Sequence, residues 1–157
     1  MENENISNFQ RKIPIPVPKV RTALRSACRK LKFNFADLSV VFVGEKRMRR
    51  LNREYLGHDY VTDVLSFPNA SVGNPEHTCL DPRQKHSGVT AGGEIIICPA
   101  VAARNAKRYG NTFERELILY VVHGILHLCG YDDRSPEDVK RMRRKEQEIM
   151  ELWGHKT

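Results

Sequence analysis

The sequence predicts an α+β fold: a small mixed β-sheet packed with several helices, one of them central, apolar and carrying two histidines. Three observations predict it. The runs Leu38–Val43, Val61–Phe67 and Glu94–Cys98 are rich in β-branched and aromatic residues and are bounded by glycine, proline or turn residues, as strands are. Between and after them, apolar residues recur at the three- and four-residue spacing of helices. The third observation is the apolar run Leu117–Val122, which leads directly into His123-Gly124-Ile125-Leu126-His127. Such a run reads as a buried helix.

In chain order, residues 1–10 are polar and partly acidic and are expected to form a flexible tail, leaving 11–157 as a single domain. Ile13-Pro14-Ile15 suits a short edge strand, where proline is tolerated, closed by Pro16 and Pro18. From Val17 to about Leu31, the positions Val20, Leu24, Cys28 and Leu31 mark a helix, with Lys19, Arg21, Arg25, Arg29 and Lys30 on its exposed face. Gly44 ends the first strand. A helix is predicted over 45–55, with Met48, Leu51 and Tyr55 inward and Lys46, Arg47, Arg49, Arg50 and Arg53 outward. Gly57-His58-Asp59 turns the chain into the second strand, which Pro68 stops.

Residues 69–93 are rich in Gly, Pro, Ser, Thr and Asn. A loop of this length in a compact domain is either functional or disordered, and its His77, Cys79 and His86 are expected to be solvated. The third strand has almost no polar interruption, which predicts an interior place in the sheet. Pro99 opens a helix that runs to about Tyr109. Asn111 or Thr112 can cap the next helix, with Glu114 and Glu116 set against its dipole. Ser135-Pro136-Glu137-Asp138 starts a last helix with Met142, Ile149, Leu152 and Trp153 apolar and Lys140, Arg141, Arg143, Arg144 and Lys145 basic.

The 157 residues are 40% hydrophobic and 29% charged, as in ordinary soluble domains of a size that buries a real core. The first residues lack the order of a signal peptide, and no apolar run approaches the roughly 20 residues that span a bilayer. The expected location is therefore the cytoplasm, with no membrane partner. The four cysteines form no C-x-x-C pair, and Cys28, Cys98 and Cys129 are expected to be buried reduced thiols. A net charge of +7 and a pI near 9.4 favour a polyanionic partner, and the basic helix faces suit a phosphate backbone.

His123 and His127 stand four residues apart, so both rings project from one helix face. Gly130 can stop the helix and turn the chain so that Asp133 approaches the rings. The pattern H-x-x-x-H-x-x-G-x-x-D gives three ligands of a tetrahedral site with the fourth position open, the arrangement of zincins. Two nitrogens and a carboxylate suit Zn first, and the same donors accept Mn, Fe or Ni. Zn with an open position brings the pKa of its water to about 7 and so supplies a nucleophile at neutral pH. Cys129 is out of phase with the shared His face. In zinc proteases of the H-E-x-x-H type the residue after the first His is the Glu base. Here it is Gly124, which moves no proton. Asp132 is a candidate to orient water or a ligand, or else to cap a turn.

The segment His123 to Asp133 resembles the H-G-x-L-H-L-x-G-Y-D-H signature of the YbeY family, metal-dependent endoribonucleases of ribosomal RNA maturation. Thr62 to Pro68 looks like the family's T-D-V-L-S-F-P strand, Gly93 to Cys98 is similar to its G-[DE]-I strand, and Asn52 to Tyr55 also fits. The resemblance covers most of residues 40–150. It implies a single-strand-specific endoribonuclease that acts on ribosomal RNA of the small subunit, in its maturation and quality control, with the small ribosomal subunit as partner. It implies His123, His127 and Asp133 as ligands of one Zn ion. Two positions depart from the family pattern. The third ligand is usually His where this chain has Asp133, a harder donor. Leu56 stands where many members carry Arg, and Arg53 and His58 are the nearest candidates to hold RNA in its place. Two alternatives are a zinc peptidase or small-molecule hydrolase, and a non-enzymatic ribosome-assembly factor with a structural metal.

Overall fold

A computed structural model describes residues 4–32, 35–68 and 91–154. The expectations for His77, Cys79 and His86, and for most of the predicted 69–93 loop, lie outside these residues. In chain order the elements are β1 (Glu4–Asn8), α1 (Val17–Leu31), β2 (Phe35–Phe42), α2 (Glu45–Leu56), β3 (Val64–Pro68), β4 (Ala91–Ile97), α3 (Pro99–Tyr109), α4 (Phe113–Leu128) and α5 (Pro136–Gly154). The strands form one sheet in the order β1-β2-β4-β3. β1, β2 and β4 run parallel, and β3 is antiparallel to β4, so the sheet is mixed. β4 takes the interior place that its apolar run requires.

Both faces of the sheet are covered, and the strand period sorts the residues between them. Val40 and Phe42 of β2, with Ile95 and Ile97 of β4, face a large core built with α1, α4 and α5. Ile96 faces the opposite way, into a smaller cluster with Leu65 of β3, Val43 and Met48 of α2. α4 lies in the larger core, with Leu117, Ile118, Val121, Ile125 and Leu126 fully buried. Its start is capped as expected: the Thr112 hydroxyl accepts from the Arg115 N–H at 3.1 Å.

Several expectations are corrected. The segment read as a flexible tail contains β1, which pairs with β2 in the register Ile6↔Val40. Ile6 packs on the core, and Glu4 is held by Arg25 at 2.7 Å and Arg21 at 3.6 Å. A polar strand gives no local signal, because its stability comes from the neighbour it pairs with. Ile13–Ile15 forms no strand. The Gln10 side chain instead donates to the Ile13 carbonyl at 2.7 Å and accepts from its N–H at 3.0 Å, closing a turn. Tyr55 faces outward, 63% exposed, and Leu152 is also exposed. β2 and β4 begin earlier than their apolar runs, and β3 begins later, at Val64.

The approach of α4 to the sheet is unusually close. A Cβ on Gly124 would stand 2.5 Å from Cγ2 of the fully buried Ile95, and one on Gly93 would stand 2.7 Å from the Leu128 methyls and 3.2 Å from the Phe67 carbonyl. Glycine costs an exposed helix interior about 0.5–1 kcal/mol relative to alanine. At Gly124 that cost is offset by contact that no larger residue permits.

Two predictions follow from this packing. Gly124→Ala will destabilise the fold by about 1–3 kcal/mol in urea denaturation, and combining it with Ile95→Ala will cost less than the sum of the two single changes. Cys28, Cys98 and Cys129 are free and buried. Burial, with the charge of Glu4, pushes the Cys28 thiol up to about 12, and burial also raises Cys98 and Cys129. Brief alkylation of the native protein, read by mass spectrometry, will leave these three unmodified; their labelling before unfolding would contradict the packing.

Candidate metal centre

α4 carries both histidines on its last two turns, and its end is shaped by a Schellman motif. The Gly130 N–H donates to the His127 carbonyl and the Tyr131 N–H to the Leu126 carbonyl, both at 3.0 Å. Gly130 adopts φ 94°, a conformation that L side chains rarely take. Tyr131 then packs against the core, and the chain turns back so that Asp133 comes beside the rings.

His123, His127 and Asp133 converge. The two Nε2 atoms are 3.0 Å apart. Asp133 Oδ2 lies 3.6 Å from His123 Nε2 and 3.5 Å from His127 Nε2. For a tetrahedral Zn with ligand distances near 2.05 Å, two ligand atoms stand about 3.3 Å apart. The three observed separations straddle that value, so one small divalent ion fits the donor set. Among the described residues these three form the group able to hold a metal. Asp133 is the exposed corner, with its side chain 45% exposed against 22% and 27% for the histidines, so the open position faces outward.

A fourth residue completes the centre from behind. Glu146 of α5 places Oε1 2.5 Å from His123 Nδ1. A carboxylate accepts, so Nδ1 carries the proton and Nε2 presents its lone pair to the site. Burial alone pushes the His123 pKa down, but the Glu146 hydrogen bond and the charges of Glu146, Asp63 and Asp133 carry it above the ordinary value. Among the described residues His127 has no carboxylate so bonded; its ring has a backbone hydrogen bond with Tyr131 instead. Burial and the neighbouring His123 hold its pKa below the ordinary value, against the opposing charges of Asp133 and Asp132.

Neither Glu146 nor Asp63 was singled out from the sequence. A signal for Glu146 does exist: it lies on the apolar stripe of α5, four residues after Met142 and three before Ile149, both buried. An acid on an inward face needs a partner. Asp63 stands at the entry to β3, where its Oδ1 accepts from the Val64 N–H at 2.8 Å.

The other sequence candidates make contacts of their own. The Asp132 carboxylate accepts from the Asp133 N–H at 2.8 Å and pairs with Arg134 at 3.3 Å, so it holds the turn. Arg53 is exposed and lies 3.7 Å from Asp59. His58 is exposed and stacks on Tyr60. Gly124, where an H-E-x-x-H protease has its base, faces Ile95 of the sheet, so a side chain there would enter the core. The basic face of α1 is partly neutralised, since Lys19 pairs with Glu114 while Arg21 and Arg25 pair with Glu4.

The family model described as endoribonuclease YbeY matches residues 5–154. A relative from Chlorobium luteolum named endoribonuclease YbeY is 41% identical over 115 residues, covering 73% of this chain and 72% of its own. One of the same name from Geobacter metallireducens is 38% identical over 149 residues, covering 94% and 93%. The solution structure of TM1509 from Thermotoga maritima superposes with a TM-score of 0.63 at 29% identity, over 97% of this chain and 90% of that one.

The Glu146 contact makes a prediction about metal affinity. Glu146→Gln will keep the fold and weaken divalent-metal binding about 10- to 100-fold, as read by competition with a chromophoric chelator. Unchanged affinity would show that the carboxylate does not set the ligand geometry.

Proposed function

The chain belongs to the YbeY family of endoribonucleases, and on that premise we propose that it is a metal-dependent, single-strand-specific endoribonuclease of small-subunit ribosomal RNA, acting in maturation and quality control. The observation that carries the metal dependence is the convergence of two Nε2 atoms and one carboxylate oxygen within 4.8 Å of one another. His123, His127 and Asp133 hold the ion, and Zn is the first choice for two imidazoles and one carboxylate. No described helix is long and apolar enough to cross a membrane.

Cleaving a phosphodiester requires a nucleophile at phosphorus and stabilisation of the charge that builds on the phosphoryl oxygens. A bound divalent ion supplies Lewis-acid polarisation and a nucleophile at neutral pH. The chain's own residues do the rest. Glu146 fixes the ring plane of His123 and keeps its proton on Nδ1. Asp133, at the outer corner, brings a negative charge that reduces the net charge of the loaded site relative to a third histidine. The exposed arginines and lysines of α2 and α5 suit contact with an RNA backbone.

A zinc peptidase lacks support on this scaffold, because the position of its base is packed against β4. A structural metal in a non-enzymatic factor is less well supported, because Asp133 leaves the centre open to solvent.

The test is metal content and cleavage of a single-stranded ribosomal RNA fragment, measured together. His127→Ala will fold, lose stoichiometric metal and lose cleavage by a factor of about 100 or more, whereas Asp133→His will retain metal and cleavage. Undiminished cleavage by His127→Ala would reject the centre as the site of chemistry. End-group analysis of the product separates the two nucleophiles: a 2′,3′-cyclic phosphate means attack by the RNA 2′-hydroxyl rather than by water.

A further inference from the structure

The connection from α2 to β3 holds a group of side chains that the metal centre does not use. Among the described residues, the exposed large hydrophobics include Tyr55, Leu56 and Tyr60, all within one six-residue stretch. Tyr55 is 63% exposed and Tyr60 55%. Both are held in place. The Tyr55 ring leans on Phe67 of β3 with centroids 5.0 Å apart. The Tyr60 ring stacks on His58 at 5.4 Å and 12°, and its hydroxyl lies 3.3 Å from His58 Nδ1.

The backbone beneath them is fixed by a buried polar residue. Asn52, 1% exposed, donates from Nδ2 to the Tyr60 carbonyl at 3.0 Å, and its own carbonyl accepts from the His58 N–H at 3.3 Å. Asp59, between the stacked rings, is held by both Arg49 nitrogens at 2.9 and 3.1 Å, with Arg53 at 3.7 Å. Two arginines against one aspartate leave a net positive charge, and Arg50 beside them is exposed. The same stretch leads into β3, where Ser66 Oγ donates at 3.2 Å to the carbonyl of Gly124, next to His123. β3 thus borders both regions, meeting α4 through Ser66 and the aromatic stretch through Phe67 on its other face.

Flat aromatic faces that are rigid, exposed and bordered by arginines suit unstacked nucleic-acid bases and their phosphates. We propose that Tyr55 and the His58–Tyr60 pair form a base-stacking platform for single-stranded RNA, with Arg50 and Arg53 holding the adjoining phosphates. The platform rests on the endoribonuclease reading and explains its preference for single strands, because duplex bases offer no free face. The positive border favours RNA over a protein partner.

The experiment uses the metal-loaded full-length protein and compares leucine with phenylalanine at each tyrosine. Leucine keeps apolar bulk and removes the flat ring; phenylalanine keeps the ring and removes the hydroxyl. Tyr55→Leu and Tyr60→Leu will each raise KM for a single-stranded oligoribonucleotide about tenfold with kcat little changed, while Tyr55→Phe and Tyr60→Phe stay within about twofold. Arg50→Gln and Arg53→Gln will reduce the salt dependence of binding, and the leucine variants will not. Wild-type KM in both leucine variants, with wild-type cleavage intact, overturns the platform and leaves the endoribonuclease reading standing. No cleavage by the wild-type protein overturns both. If the leucine variants lose only their affinity for isolated small subunits and keep oligonucleotide KM, the surface docks protein and the platform is wrong.

Discussion

The contact between α4 and β4 sets the geometry on which the site depends. Gly124 lets the helix rest on Ile95, and Gly93 lets Leu128 rest on the strand. Together they fix the height and rotation of the last two turns of α4. His123 immediately precedes Gly124 and His127 immediately precedes Leu128, so each ring is positioned by a neighbour that is pressed into the sheet. Asp133 reaches the rings through the Gly130 turn, which is hydrogen-bonded to the end of the same helix, so seating α4 on the sheet seats all three side chains together. The same contact places the residue after the first histidine on the sheet side, where no proton-transfer group can work. One packing constraint thus positions the ligands and closes the peptidase route.

Charge is arranged around this frame with a clear asymmetry. His123 is backed by Glu146 and felt by Asp63, so its proton is held and its ring is oriented. Among the described residues His127 has no carboxylate hydrogen-bonded to its ring as Glu146 is to His123, and its pKa moves the other way under burial and the neighbouring His123. Elsewhere the positive charge is unevenly available. Part of the α1 face is tied to Glu4 and Glu114. α2 carries Arg49, Arg50 and Arg53 beside a single Asp59 and a row of exposed aromatics. The free positive charge is therefore concentrated on α2 and α5 rather than spread evenly over the described surface.

Asp133 stands where the resemblance to the family signature leads one to expect histidine. A carboxylate reaches less far than an imidazole, yet its oxygen lies 3.5 and 3.6 Å from the two nitrogens, at the spacing a small divalent ion needs. The turn supplies the reach. The Schellman close at Gly130 and the Asp132 contact to the Asp133 N–H bring the backbone near enough for the shorter side chain.

Much of this was legible in the sequence. The three apolar strands, the helix phases, the His pair and the glycine turn that delivers Asp133 are all written in spacings of two to six residues. Such spacings fix which way a side chain points from its own element. They do not say which neighbour it meets. β1 leaves no trace in the sequence because Glu4, Asn5, Ser7 and Asn8 carry no apolar signal, and only the edge of β2 makes them a strand. Tyr55 was placed inward on helical phase, yet the covering layer stops short of it. Glu146 sits 23 residues after His123, and only the packing of α5 on α4 brings the two together. Asn52 earns its burial from a carbonyl eight residues on. The sequence by itself determined the candidate ligand group and the helix that carries its two histidines, because both depend on local periodicity. The tertiary structure alone decided what orients those ligands and what surrounds them, because those contacts join segments far apart in the chain.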